Sequence, residues 1–161
     1  MELAVLSDEN ILLNVPTETF TEAILRVGNL LVKNGYVEKE YIEGMIKRNK
    51  EITTYIGNGI AIPHGMSEYI KYINHSGIVM AQYPNGVDFG EGNIAYIVIG
   101  IAGKNDDHIN ILSKIALACQ SEEDVAKLIN SKEKNEIISL IMDGDEEWKY
   151  DYDSYTKSCS G

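Results

Sequence analysis

The sequence predicts an α/β protein: one three-layer domain, with a mixed β-sheet of about five strands covered by helices on both faces. Three observations predict it. Short apolar runs are interspersed with amphipathic stretches at helical spacing. One run, Ile94-Ala95-Tyr96-Ile97-Val98-Ile99-Gly100-Ile101, is apolar almost throughout, as a central strand buried on both faces should be. The length of 161 residues suits a single domain that can bury a core without disulfides or metal.

Taken in order, Asn10-Ile11-Leu12-Leu13-Asn14-Val15 reads as a short strand that Pro16 ends. Thr17 or Thr19 then caps a helix, and Thr19 with Glu22 has capping-box spacing. Phe20, Ala23, Ile24, Val27, Leu30 and Leu31 recur at helical spacing, and Gly35 is a natural stop. A second helix covers Glu38 to Lys50, with Tyr41, Ile42, Met45 and Ile46 on its apolar face and Arg48 in its last turn. Strands are expected over Gly59 to Pro63, Gly77 to Tyr83 and Ile94 to Ala102, with a turn region from Pro84 to Gly92. After the loop Gly103-Lys104-Asn105-Asp106-Asp107, a helix should carry Ile109, Leu112, Ile115, Ala116 and Cys119 inward. Ser121 caps a short helix through Ile129, and Ser131 begins a final one through Met142. The domain is therefore assigned to 1–142. Residues 143–161 form an acidic tail with Tyr150, Tyr152 and Tyr155, read as a mobile, frayed end although Tyr150 and Tyr152 alternate as in a strand.

Composition excludes several function classes. A formal net charge of −11 repels nucleic-acid phosphates and anionic membranes, and favours partners with basic groups or simply serves solubility. No apolar stretch approaches the ~18 residues of a membrane helix. The start, Met1-Glu2-Leu3-Ala4-Val5-Leu6-Ser7-Asp8, lacks the basic residues of a signal peptide, so the expected location is cytoplasmic. Two cysteines make no framework: Cys119 falls on a helical apolar face as a buried thiol, and Cys159 lies in the tail.

The chemistry concentrates in Tyr55-Ile56-Gly57-Asn58-Gly59-Ile60-Ala61-Ile62-Pro63-His64-Gly65. An apolar run stops at Pro63, which has no N–H for a continuing ladder. Gly65 permits backbone angles that most residues cannot reach. His64 is thus placed at a strand end on a stiff turn, either as a site residue or as a surface histidine. Two further blocks follow in order: Gln82-Tyr83-Pro84-Asn85-Gly86-Val87-Asp88-Phe89-Gly90, and Val98-Ile99-Gly100-Ile101-Ala102 with His108-Ile109 after a polar loop.

These three blocks together resemble the type-2 enzyme IIA components of the bacterial phosphoenolpyruvate-dependent sugar phosphotransferase system, the mannitol-type branch best. The resemblance runs from about Leu3 to Met142. It implies that His64 is the phosphorylated histidine, through its distal ring nitrogen. It implies that His108 is a second active-site histidine, where position alone gives a partly exposed residue at a helix start. Met45-Ile46-Lys47-Arg48-Asn49-Lys50 resembles the segment bearing an active-site arginine, whereas on position alone Arg48 complements a helix dipole. Asn58 occupies a position that is polar or acidic in the family; it either hydrogen-bonds the phosphoryl group or shapes the turn. His75 matches no motif and is expected exposed in a loop before a strand.

The implied chemistry needs a nucleophile that also leaves well, and a neutral imidazole with a pKa of ~6.5 meets that need. Loose, in-line phosphoryl transfer relies on positioning and charge stabilisation, and no cofactor is required in principle. The implied donor is a histidine-containing phosphocarrier protein. The implied acceptor is a cysteine on a separate IIB component, working with a membrane permease. No residue distinguishes mannitol, a related hexitol or fructose. A regulatory IIA-like module switched by phosphorylation of His64 is the alternative, though the mannitol-like Gln82 to Gly90 block argues against it. A metal hydrolase using His64, His108 and Asp106 or Asp107 is a third reading, weakened by the lack of any tight His-x-x-x-His pair.

Overall fold

In the computed structural model, which describes residues 6–142, the apolar run Ile94–Ala102 forms β5 in the middle of the sheet. The other elements are β1 (Ile11–Leu12), α1 (Phe20–Lys33), α2 (Glu40–Glu51), β2 (Tyr55–Gly57), β3 (Ile60–Ala61), β4 (Gly77–Asp88), α3 (Asp107–Ala118) and α4 (Glu122–Asn130). A last helix, α5, runs over residues 134–142. The sheet order is β1-β4-β5-β3-β2; β1 is parallel to β4 and β3 to β5, and the other pairs are antiparallel. The expected frayed tail, 143–161, lies outside the described residues.

Alternation along the two long strands sorts the core into two layers. Val79, Ala81, Tyr83, Val98 and Ala102 meet Ala23, Ile24, Val27 and Leu31 of α1 together with Tyr41 and Met45 of α2. Ile78, Met80, Ile97, Ile99 and Ile101 meet Ile111, Ile115, Val125, Leu128, Ile137 and Ile141 on the other face. The α1 side is lined by small residues, so that helix sits close: a Cβ on Gly100 would lie 2.9 Å from the Cβ of Val27. Helices thus cover both faces of a five-stranded mixed sheet, as the pattern predicts. Thr19 and Glu22 form the expected capping box, and Ser121 caps α4 by accepting from Asp124 N–H.

Four expectations are corrected. The strand expected at Asn10 to Val15 is only Ile11–Leu12, because Asp8–Asn10 is a 3₁₀ turn whose Asn10 side chain donates to Ile78 O and Tyr36 Oη. Pro84 to Asp88 belongs to β4 rather than to a turn. The proline is tolerated because five steps of β4 (Gln82 to Val87) oppose two of β5 (Ile97 to Ala95), a bulge in which no ladder N–H is needed. The strand at Gly59 to Pro63 contracts to Ile60–Ala61 and gains an unexpected hairpin partner in β2, too short to carry a periodic signal. The inward face of α3 centres on Ile111, Ile115 and Ala118; of the expected stripe, Ile115 is buried and Leu112 and Cys119 pack partly buried against the core, while Ile109 and Ala116 are exposed. Apolar residues lie on overlapping stripes at helical spacing, and docking on the sheet rotates the buried face toward Ile111 and Ala118.

Gln82 explains part of its motif. Its buried Nε2 donates toward the carbonyls of Leu128 (3.0 Å), Ile129 (3.1 Å) and Ser131 (2.8 Å), which α4 leaves without helical partners. Gln82→Leu is expected to destabilise the fold by about 2–3 kcal/mol by stranding those acceptors. Gln82→Glu should be worse, since an acceptor would then face acceptors. Urea midpoints at unchanged slope test this, and a midpoint within error of wild type would refute it.

Candidate functional site

The site lies at the carboxyl ends of the parallel neighbours β3 and β5. β3 leads through Ile62 and Pro63 into His64, while β5 leads through a four-residue loop, 103–106, into α3. Ile101 N–H donates to Pro63 O at 2.9 Å, and His64 makes an isolated parallel bridge with Ile101. The strand-end placement of His64 is therefore fixed by the central strand itself.

His64 and His108 come together from segments 44 residues apart, their ring centroids 5.3 Å apart and tilted by 53°. His108 occupies the first turn of α3. The approach is tight: a Cβ on Gly103 would lie 2.5 Å from His108 Cα, so the loop closes only with glycine there. Ser76 staples the same loop, accepting from Lys104 N–H and donating to the Asp107 carboxylate. That occupies Asp107. Among the described residues, no three His, Cys, Asp or Glu side chains gather closely enough to hold a metal ion.

The tautomer of His64 follows from its partner. Nδ1 sits 2.7 Å from Ile62 O, and a carbonyl can only accept, so Nδ1 carries the proton and Nε2 keeps its lone pair. Both rings are held below the ordinary histidine pKa. For His64, burial is the largest cause, opposed by the Ile62 bond and reinforced by the charges of His108 and Arg48; for His108, burial and then Arg48 act. The Arg48 charge is thus felt by both rings. Arg48 is half-buried in the last turn of α2, and its Nη1 donates to Ile52 O at 2.7 Å.

Asn58 is not brought to the site. It is exposed at φ +53° in the turn joining β2 to β3, flanked by Gly57 and Gly59 at positive φ. Gly59 O pairs with Ile97 N–H and Pro63 O with Ile101 N–H, which separates the two ends of this segment by about 13 Å along the sheet. Asn58 is at the end remote from His64, and of the two expected roles this position supports turn shaping. His75 is exposed just before β4, as expected. Cys119 is half-buried rather than fully buried, and burial pushes its thiol up to about 11.

The residue that the pattern undervalued is Tyr41. It reads as one more apolar position of α2, and it is 2% exposed. Yet its Oη accepts from Gly65 N–H at 2.8 Å and donates to Ile101 O at 2.8 Å. The available signal was chemical: a buried tyrosine must find partners for its hydroxyl. Gly65 is also explained differently from the expectation. It does not adopt positive φ; it is required because a Cβ there would lie 2.5 Å from Tyr41 Cε2.

Ile52, whose carbonyl accepts from Arg48, and Ile109, next to His108 in the sequence, are 68% and 65% exposed. The depressed imidazole pKa values yield a testable sign. The unfolded chain binds more protons than the folded one below about pH 6.5, so stability is full above that pH and is lost as pH falls through it. The thermal midpoint should fall between pH 7 and 5, with a shallower fall in His108→Gln. An identical slope in both proteins would show that His108 carries none of it.

Comparison with known proteins adds identity to this geometry. A mannitol-specific phosphotransferase enzyme IIA component from Geobacillus stearothermophilus is 48% identical over 141 residues, covering 88% of this chain and 97% of that protein. The crystal structure of IIA mannitol from Escherichia coli superposes with a TM-score of 0.79 at 40% identity, covering 84% of this chain and 98% of that one. An Escherichia coli complex of enzyme IIAMTL with phosphorylated enzyme IIBMTL gives a TM-score of 0.83 at 39% identity, covering 87% of this chain and 99% of the matched one. Residues 4–144 match the family described as "Phosphoenolpyruvate-dependent sugar phosphotransferase system, EIIA 2", and the chain belongs to that family, in its mannitol-type branch.

Proposed function

We propose that this protein is a phosphoryl carrier whose His64 Nε2 accepts a phosphoryl group from a histidine-containing phosphocarrier protein and passes it to a cysteine of a separate IIB component. The single observation that carries this reading is the His64 hydrogen bond. With Nδ1–H held on Ile62 O, the Nε2 lone pair is available and no proton need leave before attack. The P–Nε2 bond forms as the donor's P–N bond breaks, and the electron pair of that bond stays on the donor imidazole. In the second step a thiolate attacks phosphorus and the electron pair returns to Nε2. Neither step changes oxidation state.

The surrounding groups suit that chemistry. His108 is the candidate donor to a phosphoryl oxygen, and the free N–H groups of the first turn of α3 favour the same negative charge. Arg48 adds a fixed positive charge. Burial lowers the local dielectric and strengthens both effects. The exposed Ile52 and Ile109 suit a protein face rather than a small substrate. The relatives' names carry mannitol specificity, and the proposed process is uptake of mannitol or a related sugar through a separate membrane permease, served from the cytoplasmic side. No described helix is long and apolar enough to cross a membrane.

The test is phosphoryl loading followed by discharge. The protein is incubated with phosphoenolpyruvate, enzyme I and the phosphocarrier, and its intact mass is recorded before and after adding a mannitol-type IIB component. One acid-labile phosphoryl group that disappears onto IIB is expected. No uptake, with a control acceptor labelled in the same mixture, would overturn the carrier reading. Uptake without discharge would favour the regulatory module.

A further inference from the structure

Two pieces of the site are built on α2, and they are seven residues apart. Arg48 reaches the site from the last turn, while Tyr41, two turns earlier on the same face, bonds the residue that follows His64. The same Tyr41 hydroxyl donates to Ile101 O, and Ile101 N–H donates to Pro63 O. One buried oxygen therefore joins α2, the end of β5 and the turn after β3. Its ring occupies the space a side chain at position 65 would need. Among the described residues the hydroxyl bonds these two backbone groups, and burial pushes its pKa up to about 12, so it stays protonated and can donate and accept together.

We infer that Tyr41 is a positioning residue for phosphoryl transfer: through Gly65 N–H and Ile101 O it sets the orientation of His64 against Arg48. This deepens the carrier reading and rests on it for its kinetic readout. Tyr41 touches neither the phosphoryl group nor the reacting nitrogen. It acts by fixing the peptide on the far side of His64, while Ile62 O fixes the ring from the near side. A turn held on one side only would let the ring swing, and in-line transfer tolerates little misplacement.

The test compares Tyr41→Phe with Val125→Ala, a core truncation on the opposite face of the sheet. In Tyr41→Phe, kcat for phosphoryl acceptance is expected to fall about tenfold or more, with KM for the donor within about twofold. Its His64 ring ¹⁵N signals should move from the pure Nδ1–H tautomer toward a mixture. Val125→Ala should lose stability and leave both readouts at wild-type values. Wild-type rate and ring signals in Tyr41→Phe, or equal losses in both variants, would overturn the inference. If Tyr41→Phe does not fold, amide exchange in the wild-type protein decides: Gly65 N–H should be protected, and exchange at the rate of an open loop would refute the tether. The ring tautomer and the exchange rate need no phosphoryl donor. A wild-type protein that takes up no phosphoryl therefore sinks the carrier reading while leaving Tyr41 separately testable.

Discussion

His64→Gln is expected to take up no phosphoryl group at all, while His108→Gln takes up one group about a hundredfold more slowly than wild type. The two histidines are 5.3 Å apart, similarly half-buried and both depressed in pKa, so proximity alone does not say which is the nucleophile. The hydrogen bonds support His64 in the proposed role. His64 has Nδ1 committed to Ile62 O, which fixes the Nε2 lone pair without any help from substrate. His108 begins a helix whose free N–H groups would stabilise charge on phosphoryl oxygens, a place for a donor rather than an attacking nitrogen. Glutamine at 64 offers an amide of similar size with no nucleophilic nitrogen, so loss is complete. At 108 it keeps an N–H that can still donate, less well aligned, and a loss of about 3 kcal/mol of charge stabilisation corresponds to the hundredfold figure. Time-resolved intact-mass measurements check both. A labelled His64→Gln protein would move the nucleophile to His108 and reverse the assignment.

What the sequence made legible follows from which residues announce themselves chemically. The central strand was readable because both faces of β5 are apolar, and α1 because Thr19 and Glu22 close a box at its start. His64 was readable because proline and glycine bracket it. Its meeting with His108 was readable only through resemblance, since it depends on β3 and β5 being parallel neighbours, a long-range pairing with no local signal. The same limit hid β2, whose three residues pair with a two-residue strand. Pro84 misled in the other direction: proline marks a turn unless a bulge relieves it, and only the partner strand reveals the bulge. Asn58 sits in the motif but at its remote end, because nearness in sequence is not nearness along a strand. Gly65 was rightly singled out for the wrong cause, since a close ring and a strained φ both demand glycine and leave the same letter.

Arg48→Met is expected to slow phosphoryl transfer about a hundredfold and to raise the pKa of both site histidines. The methionine keeps an apolar stem over the end of α2, so what is removed is the charge and the donor to Ile52 O. Losing that hydrogen bond alone costs about 1 kcal/mol of stability, which would not alter the chemistry. Losing the charge acts on the rings: Arg48 opposes the protonation of His64 and of His108, so each pKa should climb without reaching its ordinary value, because burial remains the largest cause of depression. During transfer the same charge would be drawn to the phosphoryl oxygens, where a half-buried cation is worth more than in water. Arg48→Lys separates the two contributions: it should restore most of the pKa depression but only part of the rate, since an ammonium lacks the planar fork that can hold two oxygens. NMR titration of the ring signals and single-turnover loading measure these outcomes independently. Unmoved pKa values with wild-type transfer in Arg48→Met would reduce Arg48 to a helix-terminal cap and leave His108 and the α3 N-terminus to hold the phosphoryl charge.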